Sequence, residues 1–347
     1  MTATAQHLSS TAAGELVELL DGGAVRCLAC AHRCRLDDGQ AGICKVRYNV
    51  LGELRVPWGY FTSIDVAPIE KQPFYHFLPG RKVVAFGTLG CDLHCPYCHN
   101  AKISQAFRDP NSWTNARTST VDDVIGLAVR EGCAGVVSGY NEPLISSEWA
   151  VELFQAAHAA GLRTGYATDG NATPEVLAYL RPWLDMARVD LKTGSPEGYR
   201  TLGGVLQPVL DSLAWFFQMG IWLEVVTCIV PGFNDSDAEV LRMARTIAEI
   251  SRDIPWHLVA FHPDYKMQSQ PWTSAETLMN AARIATGSGL RYAYCSNLWG
   301  QVGIWQDTYC PGCAERLVGR YEFAVQLNRM NGAACPDCGY VLPGVWS

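Results

Sequence analysis

KVVAFGTLGCDLHCPYCHN, Lys82 to Asn100, starts as a β-branched run and ends in three cysteines, Cys91, Cys95 and Cys98, spaced C-x3-C-x2-C. A strand that opens at once into a loop of metal-binding residues puts the chemistry at its C-terminal end. Outward from it, β-rich runs recur as AGVVSGY (134–140), LRTGYAT (162–168), MARVDLK (186–192), IWLEVVTCIV (221–230) and HLVAF (257–261), with RYAYC (291–295) as a seventh candidate. Between them lie TVDDVIGLAVREG, SSEWAVELFQAAHAAG, TPEVLAYLRPW, VLDSLAWFFQMG, DSDAEVLRMARTIAEI and SAETLMNAARIATGSG. Most carry apolar residues at helical spacing, and several open on Ser, Thr or Asp and stop at Gly. This alternation predicts an α/β chain with a parallel sheet wrapped into a partial TIM-like (β/α)6 barrel over residues 81–297, flanked by small cysteine-rich appendages at 1–80 and 298–347.

The 347 residues, 48% hydrophobic and 18% charged, describe a globular chain large enough for such a core. The net charge of −7 argues against a nucleic-acid partner, because phosphate binding needs a basic surface. The first twenty residues lack the basic start and apolar run of a signal peptide. The most apolar long window, Trp215 to Phe233, carries Glu224 and ends in Pro-Gly, which reads as a buried strand and not a membrane span. The expectation is a cytoplasmic protein.

Fourteen cysteines in a reducing compartment are better explained by metal than by disulfides. Eleven fall into three groups: Cys27, Cys30, Cys34 and Cys44; Cys91, Cys95 and Cys98; and Cys310, Cys313, Cys335 and Cys338. Cys133 and Cys228 read as small buried hydrophobes. The last group, C-x2-C-x21-C-x2-C with Pro-Gly and Pro-Asp inside its pairs, looks like two zinc knuckles closing a ribbon, with an auxiliary iron–sulfur cluster as the alternative. Zinc and iron–sulfur stand about even for the first group. Three thiolates can hold a [4Fe-4S] cluster with one iron left open, or a catalytic zinc with an open position, and the spacing alone does not separate the two.

The cysteine loop resembles the signature of the radical S-adenosylmethionine (SAM) superfamily, which carries an aromatic residue, here Tyr97, before the last cysteine. That resemblance implies a [4Fe-4S] cluster on Cys91, Cys95 and Cys98 and SAM bound at its open iron. It implies an electron donor such as flavodoxin or ferredoxin, and a 5'-deoxyadenosyl radical that abstracts hydrogen. GYNEP is similar to the family's Gly-Gly-Glu segment, implying Asn141 and Glu142 near the SAM ammonium. ATDGN points in the same way to Thr168 and Asp169, and VDLK to Asp190 and Lys192, the lysine toward the SAM carboxylate. A structural ion pair between Asp190 and Lys192, and a plain loop role for Glu142, are the alternatives. EVVTCIVPGFND and HLVAFHPDY resemble the fifth and sixth strand patterns of glycyl-radical activases. Glu224, a charge inside an apolar strand, must be paired there; it reads as a catalytic or SAM-contacting group, with Lys192 as a second acid or base. His94 and His99 read as packing or hydrogen-bonding residues of the loop, and His262 as a weak substrate-side candidate.

CLACAHRC, GICKVR, APIEKQPFYHFLPG, PWHLVAFHPDYKM, DTYCPGC and CPDCGYVLPGVW extend the resemblance to AmmeMemoRadiSam-type proteins, relatives of pyruvate formate-lyase activating enzyme. Asp92, His94, Asn141 and Asp169 depart from the usual family residues, as does the segment YCSNLWGQVGIWQDTYC with Cys295, Ser296, Trp299 and Trp305. These departures imply a repurposed pocket for a polar small molecule with a stackable ring, such as a sugar nucleoside or natural-product intermediate undergoing radical dehydration, decarboxylation or epimerisation. An activase acting on a partner protein, and a non-enzymatic iron–sulfur or zinc module, are the other readings.

Overall fold

Lys82–Gly87 forms a strand, and it is the first of seven that lie side by side, parallel and in chain order, in the computed structural model, which describes residues 10–112 and 114–347. An antiparallel strand precedes them at the edge. We number these strands β1 (Ser63–Pro68), β2 (Lys82–Gly87), β3 (Gly135–Ser138), β4 (Arg163–Thr168), β5 (Met186–Asp190), β6 (Trp222–Ile229), β7 (Trp256–Ala260) and β8 (Ala293–Ser296). Helices α1 (Val121–Arg130), α2 (Ser147–Ala159), α3 (Pro174–Leu180), α4 (Leu206–Gln218), α5 (Asp237–Ile250) and α6 (Ala275–Gly287) supply the crossovers that parallel neighbours need. Their starts follow local chemistry. Thr120, Thr173, Ser236 and Ser274 each accept a hydrogen bond from a backbone N–H three residues on.

Alternation along each strand sorts the side chains into two layers. On β6, Leu223 and Val225 join the main core with Val209, Leu213 and Phe216 of α4 and Val240 and Met243 of α5. The opposite parity, Trp222, Glu224, Val226 and Cys228, faces inward. The expected α/β sheet is therefore present, with all seven anticipated strands. Closure is not: the sheet ends at β8 on one side and β1 on the other, with no ladder between them among the described residues. Strand β1, inside the range assigned from sequence to the N-terminal appendage, pairs with β2 from Ser63↔Gly87 to Pro68↔Lys82.

The segment Phe74–Leu78 fills the inner face at the N-terminal ends of the strands, packing Phe74 and Phe77 against Val83, Ala85, Val137 and Met186. The chain's C-terminal part fastens beneath it. A ribbon of β9 (Thr308–Tyr309), β10 (Arg316–Tyr321) and β11 (Ala324–Asn328) sends the buried Arg320 to the Tyr75 carbonyl (2.8 Å) and over the Tyr75 ring (4.0 Å). Val345 pairs with Phe77 as a parallel bridge.

The first cysteine group begins on one of two small three-stranded sheets, Val17–Leu19/Val25–Cys27/Arg35–Leu36 and Thr11–Ala13/Glu53–Pro57/Tyr48–Val50, and continues in the connections that follow Cys27. These dock on α2 through a buried ion pair, Arg47 Nη1 to Glu148 Oε2 at 2.6 Å. Among the described residues, no helix is long and apolar enough to cross a membrane, and all fourteen cysteines are free.

Candidate active site

The C-terminal strand ends surround a cavity of about 310 Å³. Its wall takes Cys91, Cys95, Tyr97 and Cys98 from the loop after β2, Asn141 and Glu142 from the loop after β3, and Thr168 and Asp169 from the end of β4. Asp190 and Lys192 come from the end of β5. All these expected site residues are thus brought together. Glu224 is not.

The loop is held open by its neighbours. Asn141 accepts from Thr88 N–H (2.9 Å) and donates to the Gly90 carbonyl (2.9 Å) and Thr88 Oγ1 (3.1 Å), so its amide is committed to the backbone that launches the cysteines. Gly90, at φ 87°, permits a close approach, since a Cβ there would lie 2.7 Å from the Cys44 carbonyl oxygen. His94 N–H bonds the Leu202 carbonyl at 2.9 Å, pinning the far side of the loop. Cys91, Cys95 and Cys98 share an apolar shell with Leu93, Phe233 and Phe261.

Three carboxylates crowd one side. Glu142 accepts from Thr168 Oγ1 (2.7 Å), Leu144 N–H (2.9 Å) and Asp169 N–H (2.6 Å), while burial and then Asp92 push its pKa up to about 7. Burial, Asp92 and Glu142 likewise raise Asp169, and its Oδ2 has no hydrogen-bond partner among the described residues. Such a concentration of buried negative charge favours a cationic occupant. Across the cavity, Asp190 bridges Lys192 Nζ and Arg188 Nη2, both at 2.7 Å. Burial opposes the charge on Lys192, but Asp190 outweighs it and raises the pKa of the ammonium.

The donor set fits an iron–sulfur cluster better than a single ion. Burial raises all three thiols, Cys95 to about 12, so they become thiolates only when metal displaces the proton. A tetrahedral zinc would hold its thiolates about 3.8 Å apart. Yet among the described residues the three sulfurs do not gather within 4.8 Å of one another; Cys91 groups at that distance with Asp92 and Asp169 instead. By contrast, Cys310 and Cys338 approach to 3.5 Å and Cys313 and Cys335 to 3.7 Å, the spacing of one tetrahedral ion.

Several expectations need correction. Glu224 is fully buried below the cavity and saturated. It accepts from the N–H groups of Tyr75 (3.0 Å) and His76 (2.9 Å), from Trp222 Nε1 (3.0 Å), and pairs with His257 Nε2 (2.6 Å). Its carboxylate anchors the Phe74–Leu78 segment and is not offered to a substrate. Trp299 packs on Phe323 of the ribbon and Trp305 against the main core; Cys295 and Ser296 are buried beside Leu278 and Tyr75. None of the four lines the cavity, so the aromatic pocket expected from them is absent there. Cys228 is half-buried and part of the wall, not a core hydrophobe. Sequence reasoning missed Arg188, Lys71, Gln72 and Tyr140, which also line the cavity. For Arg188 the inward parity with Asp190 was the available signal. Tyr140 carries a left-handed φ of 69°, which its residue type does not advertise. His99 lines the wall and stacks on His262 with centroids 3.8 Å apart, continuing to Trp272 at the rim.

Residues 86–244 match the family model for the radical SAM superfamily. The uncharacterized protein MJ0808 of Methanocaldococcus jannaschii is 33% identical over 326 residues, covering 93% of this chain and 96% of that protein. A pyruvate formate-lyase-activating enzyme of Streptococcus mutans is 22% identical over 202 residues, 53% of this chain and 72% of the enzyme. Among solved structures, Streptococcus suis SuiB bound to S-adenosylmethionine aligns with a TM-score of 0.50 and 13% identity, covering 66% of this chain and 53% of that one, a likeness of fold.

Proposed function

The chain belongs to the radical SAM superfamily, whose members are enzymes, and from that premise we propose that its cavity binds S-adenosylmethionine beside a [4Fe-4S] cluster on Cys91, Cys95 and Cys98. When bound, the cluster supplies the electron that splits the sulfonium and yields methionine and a 5'-deoxyadenosyl radical. One observation carries the reading: the thiol trio faces a buried acidic side, Glu142 and Asp169, and a half-buried cationic side, Lys192 and Arg188, within one cavity. This is the complement of a zwitterionic amino-acid end.

Glu142 and Asp169 receive the ammonium, and Lys192 the carboxylate. Tyr97, whose hydroxyl has no partner among the described residues, faces the nucleoside end, and Thr168 orients Glu142. Asn141 acts on the loop and is a positioning residue. The apolar shell of Leu93, Phe233 and Phe261 keeps water from the cluster. Lys192 remains the candidate acid for the substrate.

The substrate we infer is a polar small molecule, because Lys71, Gln72, Tyr140, His99 and Asn100 offer hydrogen-bonding groups on the remaining wall. An activase acting on a partner protein is the second reading, favoured by the likeness to pyruvate formate-lyase-activating enzymes. The electron donor is of the flavodoxin or ferredoxin kind, and the reducing compartment that free thiols require is the cytoplasm. The C-terminal quartet takes zinc.

Anaerobic reconstitution with iron, sulfide, SAM and dithionite tests the reading. Wild-type protein should release 5'-deoxyadenosine, and Cys95→Ala should release none while losing the broad iron–sulfur absorbance. Cleavage by Cys95→Ala at the wild-type rate would remove the assignment. Deuterium passing into deoxyadenosine from a labelled nucleoside, and not from a labelled peptide, would favour the small-molecule substrate; the reverse would favour the activase.

A further inference from the structure

The four N-terminal cysteines are arranged unlike the C-terminal four. Cys27, Cys30 and Cys44 are buried and Cys34 half-buried; Cys27 N–H bonds the Cys34 carbonyl (2.9 Å), Ile43 N–H, next to Cys44, reaches Cys34 Sγ (3.5 Å), and Arg47, whose carbonyl accepts from Gly42 N–H (2.8 Å), donates to Cys27 Sγ (3.1 Å). They therefore surround a common space. Yet among the described residues no three of them gather within the 4.8 Å that a single ion requires, whereas Cys310, Cys313, Cys335 and Cys338 do. The same wide setting occurs at Cys91, Cys95 and Cys98, where the family's cluster belongs. Among the described residues, one sulfur set has the spacing of a single ion and the other two do not.

Donors are aimed at these sulfurs. Ile43 N–H points to Cys34 Sγ (3.5 Å) and Arg47 Nε to Cys27 Sγ (3.1 Å). Hydrogen bonds to sulfur are one of the means by which a protein tunes an iron–sulfur cluster. Two non-glycine residues next to these cysteines, Arg33 (φ 44°) and Lys45 (φ 68°), hold left-handed backbone, a strain that collects at built sites. Arg47 is fixed by two bonds to Glu148, at 2.6 and 2.8 Å, so a cation stands permanently beside Cys27.

We propose that Cys27, Cys30, Cys34 and Cys44 hold a second iron–sulfur cluster, which passes electrons to the cluster in the cavity. The two loops touch. Ala31 N–H bonds the Asn171 carbonyl (2.9 Å), Asn171 Nδ2 bonds Asp92 (2.7 Å), and Asp92 adjoins Cys91; on the other side the Cys44 carbonyl lies against Gly90. The transfer moves one electron from a reduced flavodoxin- or ferredoxin-type donor, which is oxidised by one electron, and no bond or proton changes hands. The relay rests on the SAM-cleavage reading of the cavity, but the second metal site does not.

Metal analysis of anaerobically purified protein should find about eight iron and one zinc per chain, two four-iron clusters and one closed ion site. Replacing Cys91, Cys95 and Cys98 together by alanine should leave about four iron, with a cluster EPR signal on reduction that disappears when Cys30→Ser is added. An iron-free triple variant carrying two zinc ions, or wild type with about four iron and two zinc, would overturn the proposal. A cluster in the triple variant together with no SAM cleavage by wild type would instead sink the reading of the cavity. In Cys30→Ser alone, cleavage driven by the protein donor should be lost and cleavage driven by dithionite retained. Equal rates with the protein donor would remove the relay.

Discussion

Ala314 and Gly339 occupy equivalent places, each one residue past the second cysteine of a knuckle, and both are left-handed, at φ 62° and 76°. The amide of each closes its turn onto the first cysteine's carbonyl, at 2.9 Å in both. Glycine adopts that conformation without the Cβ clash that alanine suffers, at a cost of about 1–2 kcal/mol. Ala314→Gly is therefore expected to stabilise the metal-loaded ribbon by about 1 kcal/mol, read as a higher denaturant midpoint; a lower midpoint would contradict the turn geometry. Residues of this kind show how far sequence reaches. The cysteines were legible because ligands for one metal sit a few positions apart on one loop. Glu142, Asp169, Asp190 and Lys192 were legible because strand ends converge in this class of fold. Glu224 was misread because its main partners are the backbone N–H groups of Tyr75 and His76, almost 150 positions away, and no side-chain pattern reveals them.

At the scale of elements, β6 and the Phe74–Leu78 segment depend on each other. Removing the charge on Glu224 while four donors still face it leaves buried groups unsatisfied. Glu224→Gln is expected to cost about 3 kcal/mol of stability, seen as a lower unfolding midpoint, with SAM cleavage by the folded fraction unchanged. Normal stability with lost turnover would restore a chemical role for this carboxylate. The seven parallel strands could be read from local runs because each is largely buried and rich in β-branched, aromatic or other apolar residues. Strand β1 could not. It lies in a cysteine-rich region, runs antiparallel, and its burial pattern follows from pairing with β2 and not from its own composition.

For the molecule as a whole, His76 couples the sheet to the C-terminal segment. Its Nδ1–H donates to the Pro343 carbonyl (2.9 Å), and its Nε2 lies 2.6 Å from the Tyr294 hydroxyl. Burial, above all, lowers its pKa to about 4, against 6.5 for the free side chain. Below about 6.5 the unfolded chain binds the proton and the folded chain does not, so stability falls on acidification until about pH 4. The full shift is worth about 3 kcal/mol. Denaturation midpoints between pH 7.5 and pH 4.5 should drop further for wild type than for His76→Asn; equal drops would show that another group is responsible. None of this was legible in the sequence, because the three partners come from distant parts of the chain and only the folded molecule brings them together.

The parallel bridge between Phe77 and Val345 has a consequence for synthesis. A ribosome makes Phe77 before the parallel strands and Val345 after them. The underside of the sheet therefore stays unsealed on a nascent chain until Val345 has emerged, after all seven parallel strands have been made.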